Sequence, residues 1–119
     1  MERKPAQSFR DLVVWQKAHQ LVLSIYRITK KFPKDEMYGL TSQVRRSSSS
    51  VAANIAEAFK KKSSLDKLRI LNIAQGSLSE TEYHVLLAKD LNYGELELIQ
   101  ENAQEVSRLL EAYMKAIRK

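Results

Sequence analysis

Apolar side chains return at three- and four-residue steps through four successive segments, and that spacing constrains the fold more than any other feature of this 119-residue chain. A repeat near 3.6 residues lays such positions along one side of an α-helix, so each segment is a rod with one flank to hide. Leu12, Trp15, Ala18, Val22, Ile25, Thr29 and Phe32 mark a first helix over about residues 9–32. Val14, Leu21 and Ile28 add a second stripe beside the first, a wider apolar arc than one helix neighbour requires. Pro33 ends this helix, because proline disfavours helical geometry in the residue before it.

Leu40, Val44, Ser48, Val51, Ile55 and Phe59 predict a second helix over about 40–61, capped by Thr41 or Ser42 or starting a turn earlier. Its middle holds Ser47 to Ser50, weak helix formers, but the periodicity continues in register on both sides. Small side chains there would let another helix come close. Ser63 with Asp66 matches a capping box and opens a third helix over about 65–93, on Leu68, Leu71, Ala74, Leu78, Thr81, Val85, Ala88 and Leu91. Gly76 in its interior costs about 1 kcal/mol relative to alanine and implies a close crossing or another local need. Gly94 is the expected stop. Leu96, Ile99, Ala103, Val106, Leu110, Tyr113 and Ile117 give a fourth helix over about 95–118. Short connections between helices of similar length predict one all-α domain, an antiparallel up-down-up-down four-helix bundle.

Composition narrows the chemistry. The absence of cysteine removes disulfides, thiolate zinc sites and thiol nucleophiles and suits a cytoplasmic setting. No apolar run approaches the roughly 20 residues of a membrane span, and the first residues lack the apolar core of a signal peptide, so no membrane partner is expected. His19 and His84 lie on different helices with no HExxH, and Glu80 precedes His84 by four residues where a di-iron bundle needs three. Both histidines are expected to face solvent or an interface. No GxSxG elbow and no phosphate-cradling glycine loop occur, so neither an enzyme nor a cofactor is expected.

Two constellations remain. Gln43, Arg46, Asn54 and Glu57 run beside the apolar stripe of the second helix with Ser50, and Glu80 with Gln75, Ser79 and Glu82 faces them from the third. A polar cleft is one reading. An interhelix or intersubunit hydrogen-bond network is the favoured one, with Arg46 paired to Glu57 or Glu80, because half-buried charges need partners. The second constellation is basic. An up-down-up-down chain gathers Arg3, Lys4, Arg10, Lys60, Lys61, Lys62, Lys67, Arg69, Lys115, Arg118 and Lys119 at one end, against Glu2, Asp11, Glu57, Asp66 and Glu111. That end carries the whole net charge of +6, as a surface for RNA or DNA phosphates would. Cations at helix C-termini are favoured by the helix dipole without any ligand, but Lys67 and Arg69 sit in the first turns of the third helix, where that explanation fails.

The segments FRDLVVWQKA (Phe9 to Ala18), KKFPKDEMYGLTSQVRRS (Lys30 to Ser47), NIAEA (Asn54 to Ala58) and LNIAQGSLSE (Leu71 to Glu80) resemble the bacterial four-helix-bundle proteins related to the 23S rRNA intervening-sequence protein. The resemblance implies a homopentameric barrel of bundles. A related branch, the accessory variability determinant of diversity-generating retroelements, binds nucleic acid and a reverse transcriptase, which implies a nucleic-acid-processing protein as a further partner. The chain departs from the family pattern at Ala58, Phe59 and Lys60, where a glycine-containing turn is usual, and at Ser47 and Ser48, where alanines are usual. Trp15, Tyr26, Tyr83 and Tyr113 exceed what one small core hides, which also favours self-association.

Overall fold

The computed structural model describes Lys4 to Lys119; Glu2 and Arg3 of the predicted basic end lie outside the described residues. Four helices follow, α1 Val13–Thr29, α2 Leu40–Lys60, α3 Ser64–Asp90 and α4 Glu97–Arg118, and there is no strand among the described residues. Each helix packs on its sequence neighbours and α1 closes on α4, with no diagonal contact, so the four form a square bundle 46 × 30 × 19 Å in extent. Cross-links fix the directions. Arg45 of α2 meets Tyr26 and Thr29 of α1, and Ser47 and Ser50 of α2 meet Thr81 and Ser77 of α3. Gln75 of α3 meets Glu111 of α4, and all these pairs run antiparallel.

The core follows the predicted stripes with instructive exceptions. Val14 and Leu21, assigned to the second stripe of helix 1, are buried beside Ala18 and Ile25, so part of the apparent surplus folds inward. On α3, Ile70 and His84 join the expected core and Leu91 stays exposed. Met114 rather than Tyr113 fills the last turn of α4. His84, expected to face solvent or an interface, is instead buried within the chain: one turn beyond Thr81, it turns toward α2 and stands 3.5 Å from the Ser47 hydroxyl through Nδ1. The serine run does allow close approach. Ser48 is fully buried, Thr81 Oγ1 lies 2.9 Å from Ser47 Oγ, and Ser50 and Ser77 hydroxyls are 3.0 Å apart.

Helix ends depart most from expectation. The chain opens with a single 3-10 turn, Phe9–Asp11, whose capping box is made by Ser8 and Asp11, and α1 begins only at Val13 and ends at Thr29. At α3 only half a capping box forms: Ser63 Oγ accepts the Asp66 N–H, while Asp66 turns to Arg69. Neither Thr41 nor Ser42 caps α2. Glu36, from a 3-10 turn in the α1–α2 connection, reaches forward and accepts the Leu40 N–H at 3.1 Å. The stop after α3 belongs to Asn92, not Gly94. Asn92 takes the left-handed conformation (φ 62°), its N–H reaches the Lys89 carbonyl, and the Tyr93 N–H reaches that of Ala88. This is the Schellman arrangement, in which asparagine is the usual substitute for glycine.

The same Tyr93 ties the two connections at this end together, its hydroxyl donating to Glu36 Oε2 at 2.8 Å and its ring packing on Phe32. Those bonds from Tyr93 and then from Leu40 hold the Glu36 carboxyl below the usual carboxylate range. Because Glu36 binds its proton less readily when folded than unfolded, it contributes stability above the ordinary carboxylate pKa, and that contribution is lost as pH falls through its lowered folded value. Thermal unfolding followed from neutral pH down to about pH 3 is therefore expected to show a shallower acid slope in Glu36→Gln than in the unaltered chain. Identical slopes would detach Glu36 from the acid limb.

Candidate nucleic-acid interface

Lysines and arginines do collect at one end. The bundle directions place the start of α1, the α2–α3 turn and the end of α4 together, and Lys4 and Tyr113 line one surface hollow there. Of the predicted members, ten cations and four anions lie among the described residues, which preserves the excess of six. They are not equivalent.

Lys67 is engaged by the fold. Its Nζ donates to the carbonyls of Phe59 at 2.9 Å and Ala58 at 3.2 Å and lies 5.5 Å from the Phe59 ring centre. A cation in the first turn of α3, where it is unfavourable, thus serves the C-terminus of α2, where it is favourable. This corrects the placement of Lys67 among free phosphate contacts. Arg69 stands 3.9 Å from Asp66 and Arg118 3.8 Å from Glu111, both exposed pairs of the kind that contribute about 0–1 kcal/mol. Such pairs open readily to a competing phosphate. Glu111 is further held by Gln75 Nε2 at 2.7 Å. Lys60, Lys61, Lys62, Lys115 and Lys119 are exposed with no ion pair among the described residues. Lys60 and Lys115 lie in last helical turns, whereas Lys61 and Lys62 lie beyond the end of α2.

The predicted polar line does not assemble within the chain. Gln43, Arg46, Glu57 and Glu80 are all exposed, and among the described residues no ion pair joins Arg46 to Glu57 or Glu80. Arg46 and Glu57 stand on one helix eleven positions apart, about 16 Å along its axis. Of the predicted members, Asn54 donates from Nδ2 to the Ser50 carbonyl and hydroxyl, Ser50 meets Ser77, and Gln75 turns to Glu111 of α4. The polar contacts between α2 and α3 are made by Ser50 of the predicted line with Ser77 and, further in, by Ser47 with Thr81. Serine and threonine on an apolar stripe were the available signal.

Sequence reading also missed Arg45. It is partly buried, donates from Nε to Thr29 Oγ1 at 2.8 Å, and lies 4.7 Å from the Tyr26 ring centre. Beside it runs an aromatic row on the α2-facing flank of α1, Phe9 edge-on to Trp15 and Trp15 stacked on His19.

A sequence model of the 23S rRNA-intervening sequence protein family matches residues 10–112. The chain belongs to that family. Family membership and the four-helix architecture agree with a solved structure from Bacteroides thetaiotaomicron, a protein with unknown function from the S23 ribosomal protein family. It is 30% identical, with a TM-score of 0.79 over 87% of this chain and 96% of that one. No curated protein matches. No described helix is long and apolar enough to cross a membrane.

The division of the basic end is testable by stability alone. Lys67→Met keeps the apolar stem and removes the cation from the α2 carbonyls, and is expected to lower stability by about 0.5–1 kcal/mol. Lys61→Met should leave the denaturant midpoint unchanged. Equal effects of the two would contradict the assignment.

Proposed function

We propose that the chain is a non-catalytic, homo-oligomeric scaffold that binds RNA or DNA through its basic end. The observation that carries the reading is the cluster of exposed lysines beyond the α2 and α4 C-termini, led by Lys61 and Lys62, that form no ion pair among the described residues. A phosphate backbone supplies matching charge, and its release of counterions gives binding a steep salt dependence. Converting Lys60, Lys61 and Lys62 together to glutamine is expected to weaken RNA and DNA binding alike and to flatten the slope of log K against log salt by about two to three. Binding that is unchanged in this variant removes the basic end from the account.

Self-association is supported by the outer side of α3. Leu65 is 79% exposed and Tyr83 59%, with Ile73 and Leu86 also exposed, a set of large apolar groups that the described residues leave open to solvent. Gly76 stands among them, and a Cβ there would meet nothing within 4 Å, so the expected close crossing is not made within this bundle. A second copy seated on this side gives both the apolar set and the glycine a use. Gly76→Arg should then preserve helical content and unfolding cooperativity while reducing the mass seen by light scattering. An unchanged mass would clear α3 of the role. Five subunits remain the number that the family resemblance implies.

A second reading, a hub that docks a partner polypeptide, is favoured by the opposite end, where Tyr38 is 92% exposed beside Met37. Partner capture insensitive to nuclease and to salt is its distinguishing mark.

A further inference from the structure

Phe9, Trp15 and His19 form a ladder of rings that begins at the basic end. Phe9 meets Trp15 edge-on at 4.9 Å between ring centres, and Trp15 lies flat on His19 at 4.9 Å with only 9° between the planes. The ladder is held before any ligand arrives. Asp11 Oδ2 accepts the N–H groups of Gln7 and Ser8, and Gln16 Nε2 donates to the Arg10 carbonyl at 2.8 Å, pinning the 3-10 turn that carries Phe9 against α1. The far end of the ladder stays open, since His19 is exposed, while Phe9 and Trp15 are half-buried and Trp15 also packs on the core.

Its surroundings are cationic and small. The Arg10 guanidinium lies 5.8 Å from the Phe9 ring centre, and Arg45 covers Tyr26 two turns beyond His19. The antiparallel register set by Tyr26, Thr29 and Arg45 brings the stretch of α2 from Ala52 to Phe59 opposite Trp15 and His19, with the small Ala52, Ala53 and Ala56 among its residues. The same register carries Phe9 to the level of Lys60 to Lys62, where the 3-10 turn packs on α2.

We infer that this flank of α1 receives unpaired bases of a single-stranded nucleic acid, stacked on the ladder of Phe9, Trp15 and His19 while the neighbouring lysines hold the phosphates. The inference rests on the proposed nucleic-acid function and deepens it by naming the strand state. Bases within a duplex hide their faces in the helix, whereas unpaired bases offer a π-face to any aromatic side chain irrespective of sequence. An exposed imidazole stacked on a half-buried indole, beside a charged strip, is an arrangement that a single strand can use. An identical copy would bring more of the same charge to this end; a nucleic-acid strand brings the opposite one.

The chain has a single tryptophan, so its fluorescence reports Trp15 alone. At low salt, titration with a short oligothymidylate is expected to quench this emission, and a duplex of the same length is expected to bind without quenching it. His19→Ala should weaken oligothymidylate binding roughly tenfold and leave duplex binding unchanged, with His19→Phe restoring it. His19 is exposed, so neither variant threatens the fold. Single strand and duplex bound alike, with Trp15 emission unmoved, would overturn the stacking and leave the basic end standing. No binding of either would remove the proposed function and this inference together. Emission that shifts on dilution of the protein alone but not with oligothymidylate would give the flank to a second copy, and that also overturns the inference.

Discussion

Everything in this bundle hangs on how closely α2 and α3 approach, and that approach is closed by hydroxyl groups. Ser47, Ser50, Ser77 and Thr81 stand where Leu or Val would otherwise hold the helices further apart. Small side chains permit the distance, but each brings a polar atom into the core, which costs free energy unless it is bonded. The hydroxyls answer one another and the backbone carbonyls of Val44 and Ser77, and among the described residues no buried side-chain polar atom is left without a partner. A net gain of about 1 kcal/mol per bond matters less than the specificity, because a slip of α3 along α2 would orphan several hydroxyls at once. The register so fixed also sets where the α2–α3 turn projects its lysines.

The fold was legible in the sequence because bundle formation is written in a repeat that needs no knowledge of partners. Val44, Val51 and Ile55, or Val106 and Leu110, have to be covered by something, and short connections leave antiparallel neighbours as the covering. Helix ends were less legible because their caps come from elsewhere in the chain. Glu36 serves α2 across a connection, Lys67 serves α2 from α3, and Asn92 does what Gly94 was expected to do. No residue-by-residue propensity contains those choices. Within one chain the predicted ion pairs are absent for a related reason: Arg46, Glu57 and Glu80 lie on the solvent side of the stripe, where only a neighbouring subunit could pair them, and one helical position decides which side a residue takes.

At the basic end the fold sorts cations by whether they already have work. Lys67 is held by two carbonyls and a ring, Arg69 and Arg118 by loose exposed pairs, and Lys61 and Lys62 by no ion pair among the described residues. Helix dipoles account for Lys60 and Lys115 in their last turns, but they do not account for the two lysines that continue beyond α2. The excess of charge is therefore larger than capping requires.

That excess has a cost of its own. Like charges crowded on one face repel, and the repulsion works against the compact state unless counterions or a ligand of opposite sign relieve it. In the proposed assembly, subunits related by rotation would bring equivalent ends to one rim and multiply the repulsion, so the apolar side of α3 has to supply more than enough attraction to offset it. A phosphate backbone laid along such a rim reverses the balance, since each contact both cancels repulsion and releases counterions. Assembly and polyanion binding, as proposed, would then support one another through charge alone, with no change of shape in the bundle. In the proposed assembly the coupling would be reciprocal: whatever favoured the ring would concentrate the lysines, and whatever neutralised the lysines would favour the ring.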